Sequence, residues 1–66
     1  MSKKPFLIYI LPAYNEQKII LNSIERIRQH FRHDKYFIIV VDNASTDDTY
    51  NIVMEIASKS SDILLL

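Results

Sequence analysis

Tyr36-Phe37-Ile38-Ile39-Val40-Val41 is an unbroken apolar run, mostly β-branched or aromatic, that passes directly into Asp42-Asn43-Ala44-Ser45-Thr46-Asp47. A run this short, closed by turn-forming residues, reads as a strand buried on both faces. The same pattern occurs upstream, where Phe6-Leu7-Ile8-Tyr9-Ile10-Leu11 is followed by Pro12-Ala13-Tyr14-Asn15-Glu16. Each run is followed by an amphipathic segment, so the chain can fold only as strand, turn and helix in alternation. In such units ligands bind beyond the carboxyl ends of the strands.

Composition narrows the chemistry. Glycine is absent from all 66 residues. Both the dinucleotide fingerprint and the P-loop are therefore excluded, since each needs backbone without Cβ close to phosphate. A nucleotide held here must be held by side chains and ordinary turn backbone. Cysteine is also absent, which removes disulfides and thiolate metal sites. Eight Lys and Arg balance eight Asp and Glu, an argument against a nucleic-acid or anionic-membrane footprint. Lys3 and Lys4 before an apolar run look like the start of a signal peptide. That run is too short for a signal core or a membrane span and is closed by Pro12, so a cytoplasmic location is expected. The apolar run Ile63–Leu66 closes the sequence. An apolar terminus is an aggregation hazard, and the expectation is the N-terminal part of a longer domain spanning residues 1–66.

Taken in order, Met1–Pro5 is a polar lead and Phe6–Leu11 the first strand, which Pro12 should end because it cannot donate to a ladder. Asn15 reads as a helix N-cap, with Glu16 favoured at the positive end of the helix dipole. Ile20, Ile24, Ile27 and Phe31 step by helical spacing and form one face, which Ile19 and Leu21 should widen. Arg26, Arg28 and Arg32 fall on the opposite, solvated face. Tyr36–Val41 is the second strand. Ser45 and Asp48 suggest a capping box for a second helix from about Thr46 to Ser58. Ile52, Val53, Ile56 and Ala57 should form its apolar face, with Tyr50 and Met54 flanking. Ile63 opens a third strand. The order β-α-β-α-β implies a Rossmann-like α/β fold with a parallel sheet and right-handed crossovers.

Parallel neighbours bring the two strand ends together, so Tyr14, Asn15 and Glu16 should lie close to Asp42, Asn43 and Ser45. An aromatic face beside a carboxylate and an amide suits a flat heterocycle, with the ring stacked on Tyr14 and its N–H edge on Asp42 or Asn43.

The ordered pair Leu11-Pro12-Ala13-Tyr14-Asn15-Glu16 and Ile39-Val40-Val41-Asp42-Asn43-Ala44-Ser45-Thr46-Asp47 closely resembles the opening of family 2 glycosyltransferases of the GT-A fold. The resemblance covers essentially the whole chain after Lys4. It implies the N-terminal part of a nucleotide-diphospho-sugar transferase, which moves a sugar from a nucleotide-sugar donor to a lipid phosphate, a glycan or a protein. By that resemblance Pro12 and Tyr14 line the base pocket and Glu16 sits at the nucleoside rim. Asp42 is a rim or supporting carboxylate. Asn43 stands where the family usually has the acid that bonds the base; an amide oxygen can accept the same N–H. The resemblance also implies a divalent cation, Mg or Mn, bound by an Asp-x-Asp beyond the third strand, and a catalytic base later still. Neither motif falls within these residues, so the 66-residue chain should lack activity alone.

Blander readings stand beside these. Tyr14 can simply cover the core, and Asp42 can simply form a turn. Asp47 and Asp48 are adjacent rather than alternate and open a helix, which favours a cap over a metal site. His30 and His33 lack a third ligand and read as solvated. A receiver-like or flavodoxin-like binding domain also places acids at strand ends, although a receiver expects paired acids where this chain has Pro-Ala-Tyr-Asn-Glu. An inactive remnant is the remaining alternative.

Overall fold

The structure, a computed structural model, describes residues 6–66. The lead Met1–Pro5, with Lys3 and Lys4, lies outside the described residues. The elements run β1 (Phe6–Ala13), α1 (Ile20–His30), β2 (Lys35–Asp42), α2 (Thr49–Lys59) and β3 (Ile63–Leu65). The three strands form one parallel sheet in the order β1-β2-β3. This is the Rossmann-like β-α-β-α-β arrangement that the alternating pattern implies. No helix among the described residues is long and apolar enough to cross a membrane.

Pro12 does not end β1, which continues to Ala13 and stays in register with β2 through the pair Ala13 and Asp42. In a parallel strand, the amide and carbonyl of one residue point to the same side. The Ala13 carbonyl accepts the Asn43 amide on the β2 side, so Pro12 faces the outer edge. No ladder donor is needed there, which is where proline is tolerated.

The strands are buried on one face, not on both. Strand order advances in a single direction, and two right-handed crossovers then place both helices on the same side of the sheet. Between the layers lie Ala13, Ile38, Val40 and Ile63 from the sheet, Ile20, Ile24 and Ile27 from α1, and Val53 from α2. On the opposite face Phe6, Ile8, Ile10, Val41 and Leu64 are exposed, Phe6 and Ile10 by more than 60% (61% and 62%). The apolar face of α1 is also narrower than the sequence suggests. Ile19 and Leu21 are each over half exposed, because successive residues turn about 100° around a helix and flank Ile20 on either side. In α2, Tyr50 and Met54 are exposed, while Thr49 joins Val53 in the buried stripe.

The amino ends of β2 and β3 are tied to α1 by a polar cluster. The Arg28 guanidinium forks onto both Asp62 carboxylate oxygens at 3.0 Å, and also donates to Ser60 (3.1 Å) and Glu25 (2.7 Å). The Tyr36 hydroxyl donates to Asp62 Oδ2 at 2.7 Å. Arg28 is therefore a tie between elements rather than part of a solvated face. Burial raises the Asp62 carboxyl, but the bonds from Arg28 and then Tyr36 outweigh it and hold its pKa below the ordinary value. Burial, and then the bond to Asp62, pushes the Tyr36 phenol up. A depressed carboxyl contributes stability that is present above its unfolded pKa, about 3.9, and lost as pH falls through the lower folded value. Urea midpoints measured from pH 7 downward should therefore fall below about pH 4. Asp62→Ala should cost about 1–3 kcal/mol at pH 7, since it strands donors on Arg28 and Tyr36, and should flatten that acid-side loss. An unchanged acid limb in the variant would show that Asp62 does not carry it.

Candidate functional site

Two loops meet at the carboxyl end of the sheet: residues 14–19 after β1 and residues 43–48 after β2. Their spacing is set by the ladder. Ala13 is paired with Asp42, and the Asn43 amide donates to the Ala13 carbonyl at 2.8 Å. Tyr14 and Asn43 therefore leave the sheet as neighbours. Tyr14 is 55% exposed, and Asn43 is also exposed. Pro12, paired with Val41, sits one step below on the open sheet face. Asp42 is half-buried and folds its own loop, accepting from the Ser45 amide (3.1 Å) and the Ser45 hydroxyl. Glu16 is half-buried. Its Oε1 accepts the Tyr14 amide at 3.2 Å, and its carbonyl accepts the amides of Ile19 and Ile20. These contacts steady the turn on which Tyr14 stands.

The two loops are interlocked by side chains. Asn15 Oδ1 accepts the Thr46 amide (2.7 Å), the Asp47 amide (3.3 Å) and, at 3.4 Å, the Thr46 hydroxyl. The Asn15 amide donates to Ser45 Oγ at 3.0 Å. The Glu16 amide donates to Thr49 Oγ1 at 2.7 Å, and the Gln17 amide to Asp47 Oδ2 at 3.3 Å. The Asp48 amide donates to Gln17 Oε1 at 2.9 Å. Asp47 Oδ1 accepts both the amide and the hydroxyl of Thr49. Burial pushes the Asp47 carboxyl up, but the bonds from Thr49 and Gln17 outweigh it and lower its pKa. Asn15 and Ala44 both have positive φ, 49° and 56°. A chain without glycine meets this demand at one loop with Asn, which tolerates the left-handed region through local bonding.

Two readings from the sequence change here. Asn15 does not cap α1, whose cap position is Ile19 and carries no side-chain bond; its oxygen is committed to the other loop. Ser45 and Asp48 form no capping box, because α2 starts at Thr49, later than the periodicity suggests. Ser45 instead bridges Asn15 and Asp42. The structural parts played by Gln17 and Thr49 were not legible in the sequence. Their bonds across the loops span 30 to 33 residues, whereas local pattern points only to nearby bonds such as the one from Thr49 to Asp47.

The acids present do not suit a divalent cation. Asp47 is occupied by Gln17 and Thr49, Asp48 Oδ1 faces the Asn51 amide group at 3.4 Å, and no group of three acidic, His or Cys ligands occurs among the described residues. His30 packs edge-on against Phe31, with ring centroids 4.7 Å apart. A groove of about 540 Å³ runs between β1 and α1 past Tyr9, Leu11, Arg26 and His30. It is separate from the ledge of Tyr14, Asp42 and Asn43, which is an open rim.

With this geometry in view, comparison with known proteins is informative. The family model for glycosyl transferase family 2 matches residues 9–66. Over 51 residues, 76% of this chain, the sequence is 47% identical to the UDP-N-acetylglucosamine–dolichyl-phosphate N-acetylglucosaminyltransferase of Methanococcus voltae, of which the match covers 19%. It is 37% identical to the dolichyl-phosphate beta-glucosyltransferase ALG5D of Trichomonas vaginalis, over 92% of this chain and 21% of that protein. It is 32% identical to the glycosyltransferase AglE of Haloferax volcanii, over 98% of this chain and 22% of that protein. The chain thus spans about a fifth of the length of these relatives. A family match over residues 9–66, a stretch that contains both strand-end motifs that meet in the structure, means that this chain belongs to glycosyl transferase family 2.

Proposed function

We propose that this chain supplies the nucleotide-binding part of the donor site of a nucleotide-sugar-dependent glycosyltransferase. The observation that carries the reading is the bond from the Asn43 amide to the Ala13 carbonyl, by which the backbone at Tyr14, an exposed residue, leaves the sheet next to that of Asn43. Tyr14 stacks on the base. Asn43 and Asp42 accept from its N–H edge, and Pro12 closes the apolar side. Glu16 holds the turn at the nucleoside rim. Two of the relatives are named for transfer to dolichyl phosphate, which supports a lipid phosphate as the acceptor rather than a glycan or protein. The divalent cation, Mg or Mn, and the catalytic base belong to segments beyond these residues. Such an enzyme works at the cytoplasmic face of a membrane, where lipid phosphate and soluble donor meet. Residues 1–66 form part of one such domain.

The test has two arms. The intact protein should transfer sugar from a nucleoside-diphosphate donor to a polyprenyl phosphate in a radiolabel assay. The isolated 66-residue chain should bind nucleoside diphosphate only weakly, with a Kd above about 0.1 mM by calorimetry, and turn over none. Tight, metal-dependent turnover by the isolated chain would contradict the division of labour. Absence of nucleotide binding by the intact protein would remove the donor-site reading.

A further inference from the structure

We infer that Asn15 is a positioning residue for the nucleotide ledge; this rests on the reading of Tyr14 and Asn43 as the base-binding pair. Tyr14 is joined to Asn15, and Asn15 is the residue of its loop that turns the chain through positive φ, at 49°. Its side-chain oxygen is committed to the second loop, where it gathers the Thr46 and Asp47 amides. Its own amide is held by Ser45, the residue that also satisfies Asp42. Asn15 therefore ends one continuous chain of bonds: Asn15 to Ser45, Ser45 to Asp42. The same side chain that fixes the backbone under Tyr14 fixes the loop that follows Asn43. The sheet fixes where the two loops start. The bonds of Glu16 to Thr49 and of Gln17 to Asp47 and Asp48 hold their helix-ward ends. The Asn15 link is the one that joins the residue next to Tyr14 to the loop that follows Asn43.

Side chain and backbone can be separated experimentally. Asn15→Gly accepts positive φ without strain but removes the oxygen, whereas Asn15→Asp keeps an acceptor and tolerates the same backbone. In the intact protein, Asn15→Gly should raise the donor KM about tenfold with kcat within about threefold, the mark of lost donor binding. Asn15→Asp should stay within about threefold of the unsubstituted protein in both. Adding Asn15→Gly to Tyr14→Ala should raise KM by no more than about twofold further, because residues that act through one another are not additive. A lowered Tm with unchanged KM, or an Asp variant as impaired as the Gly variant, would overturn the proposal. If Tyr14→Ala raises KM and Asn15→Gly does not, only the positioning role fails. If Tyr14→Ala itself leaves KM unchanged, the base-binding reading fails with it.

Discussion

Tyr14→Ala in the intact protein is expected to raise the KM for the nucleotide-sugar donor by about 10- to 100-fold while kcat changes by less than about threefold. Stacking of a base on an aromatic side chain is worth about 1–3 kcal/mol by alanine substitution. Tyr14 is free to supply it, because the residue is 55% exposed and its hydroxyl takes part in none of the internal bonds of the two loops. The loss should fall on KM, since the base is remote from the sugar carbon at which transfer occurs. Tyr14→Phe should retain most donor affinity, as it keeps the π-face. Initial-rate kinetics over a range of donor concentrations checks both variants. An unchanged KM for Tyr14→Ala would remove this residue from the site, and the ring would then only cover the end of β1.

Ile24→Ala is expected to remove a large share of the isolated chain's stability. Ile24 is fully buried, at 0% exposure, and sits where α1 meets the sheet. Removing a buried isoleucine to alanine costs about 2–5 kcal/mol through lost transfer energy and the cavity left behind. A domain of this size has only about 3–10 kcal/mol to lose, by the usual stability per residue. On the outer face of its sheet Phe6, Ile8, Ile10 and Leu64 are also exposed. Circular dichroism during urea titration should show a much lower midpoint or no folded baseline. Ile19→Ala is the matched control. That side chain is 53% exposed, so its removal should cost under about 0.5 kcal/mol, as surface changes usually do. Similar losses for the two variants would show that α1 does not pack through the Ile20–Ile24–Ile27 stripe.

The elements themselves were legible because each is a local pattern. The unbroken apolar runs marked β1 and β2 to within two residues at either end, and the four-three spacing of Ile20, Ile24 and Ile27 marked the buried stripe of α1. The nearness of Tyr14 to Asn43 also followed from local pattern, because two parallel strands that start together end together. Misreadings arose where a side chain had a choice of partner. Asn15 and Ser45 are good helix caps by residue type, yet each bonds across the loops instead. Arg28 has the spacing of a solvated position on α1 but is drawn to Asp62, 34 residues later.

The sequence by itself determined the alternation of strand and helix, the parallel sheet, the exclusion of glycine-dependent phosphate loops, and the two motifs that mark glycosyl transferase family 2. Each follows from the period, length or residue type of one short segment. Only the tertiary structure decided that both helices lie on one side, leaving Phe6, Ile8 and Ile10 bare, and that Asn15, Ser45, Asp47 and Thr49 lock the two loops together. Those outcomes depend on the direction in which strand order advances and on bonds between residues some thirty positions apart, and no local pattern encodes either.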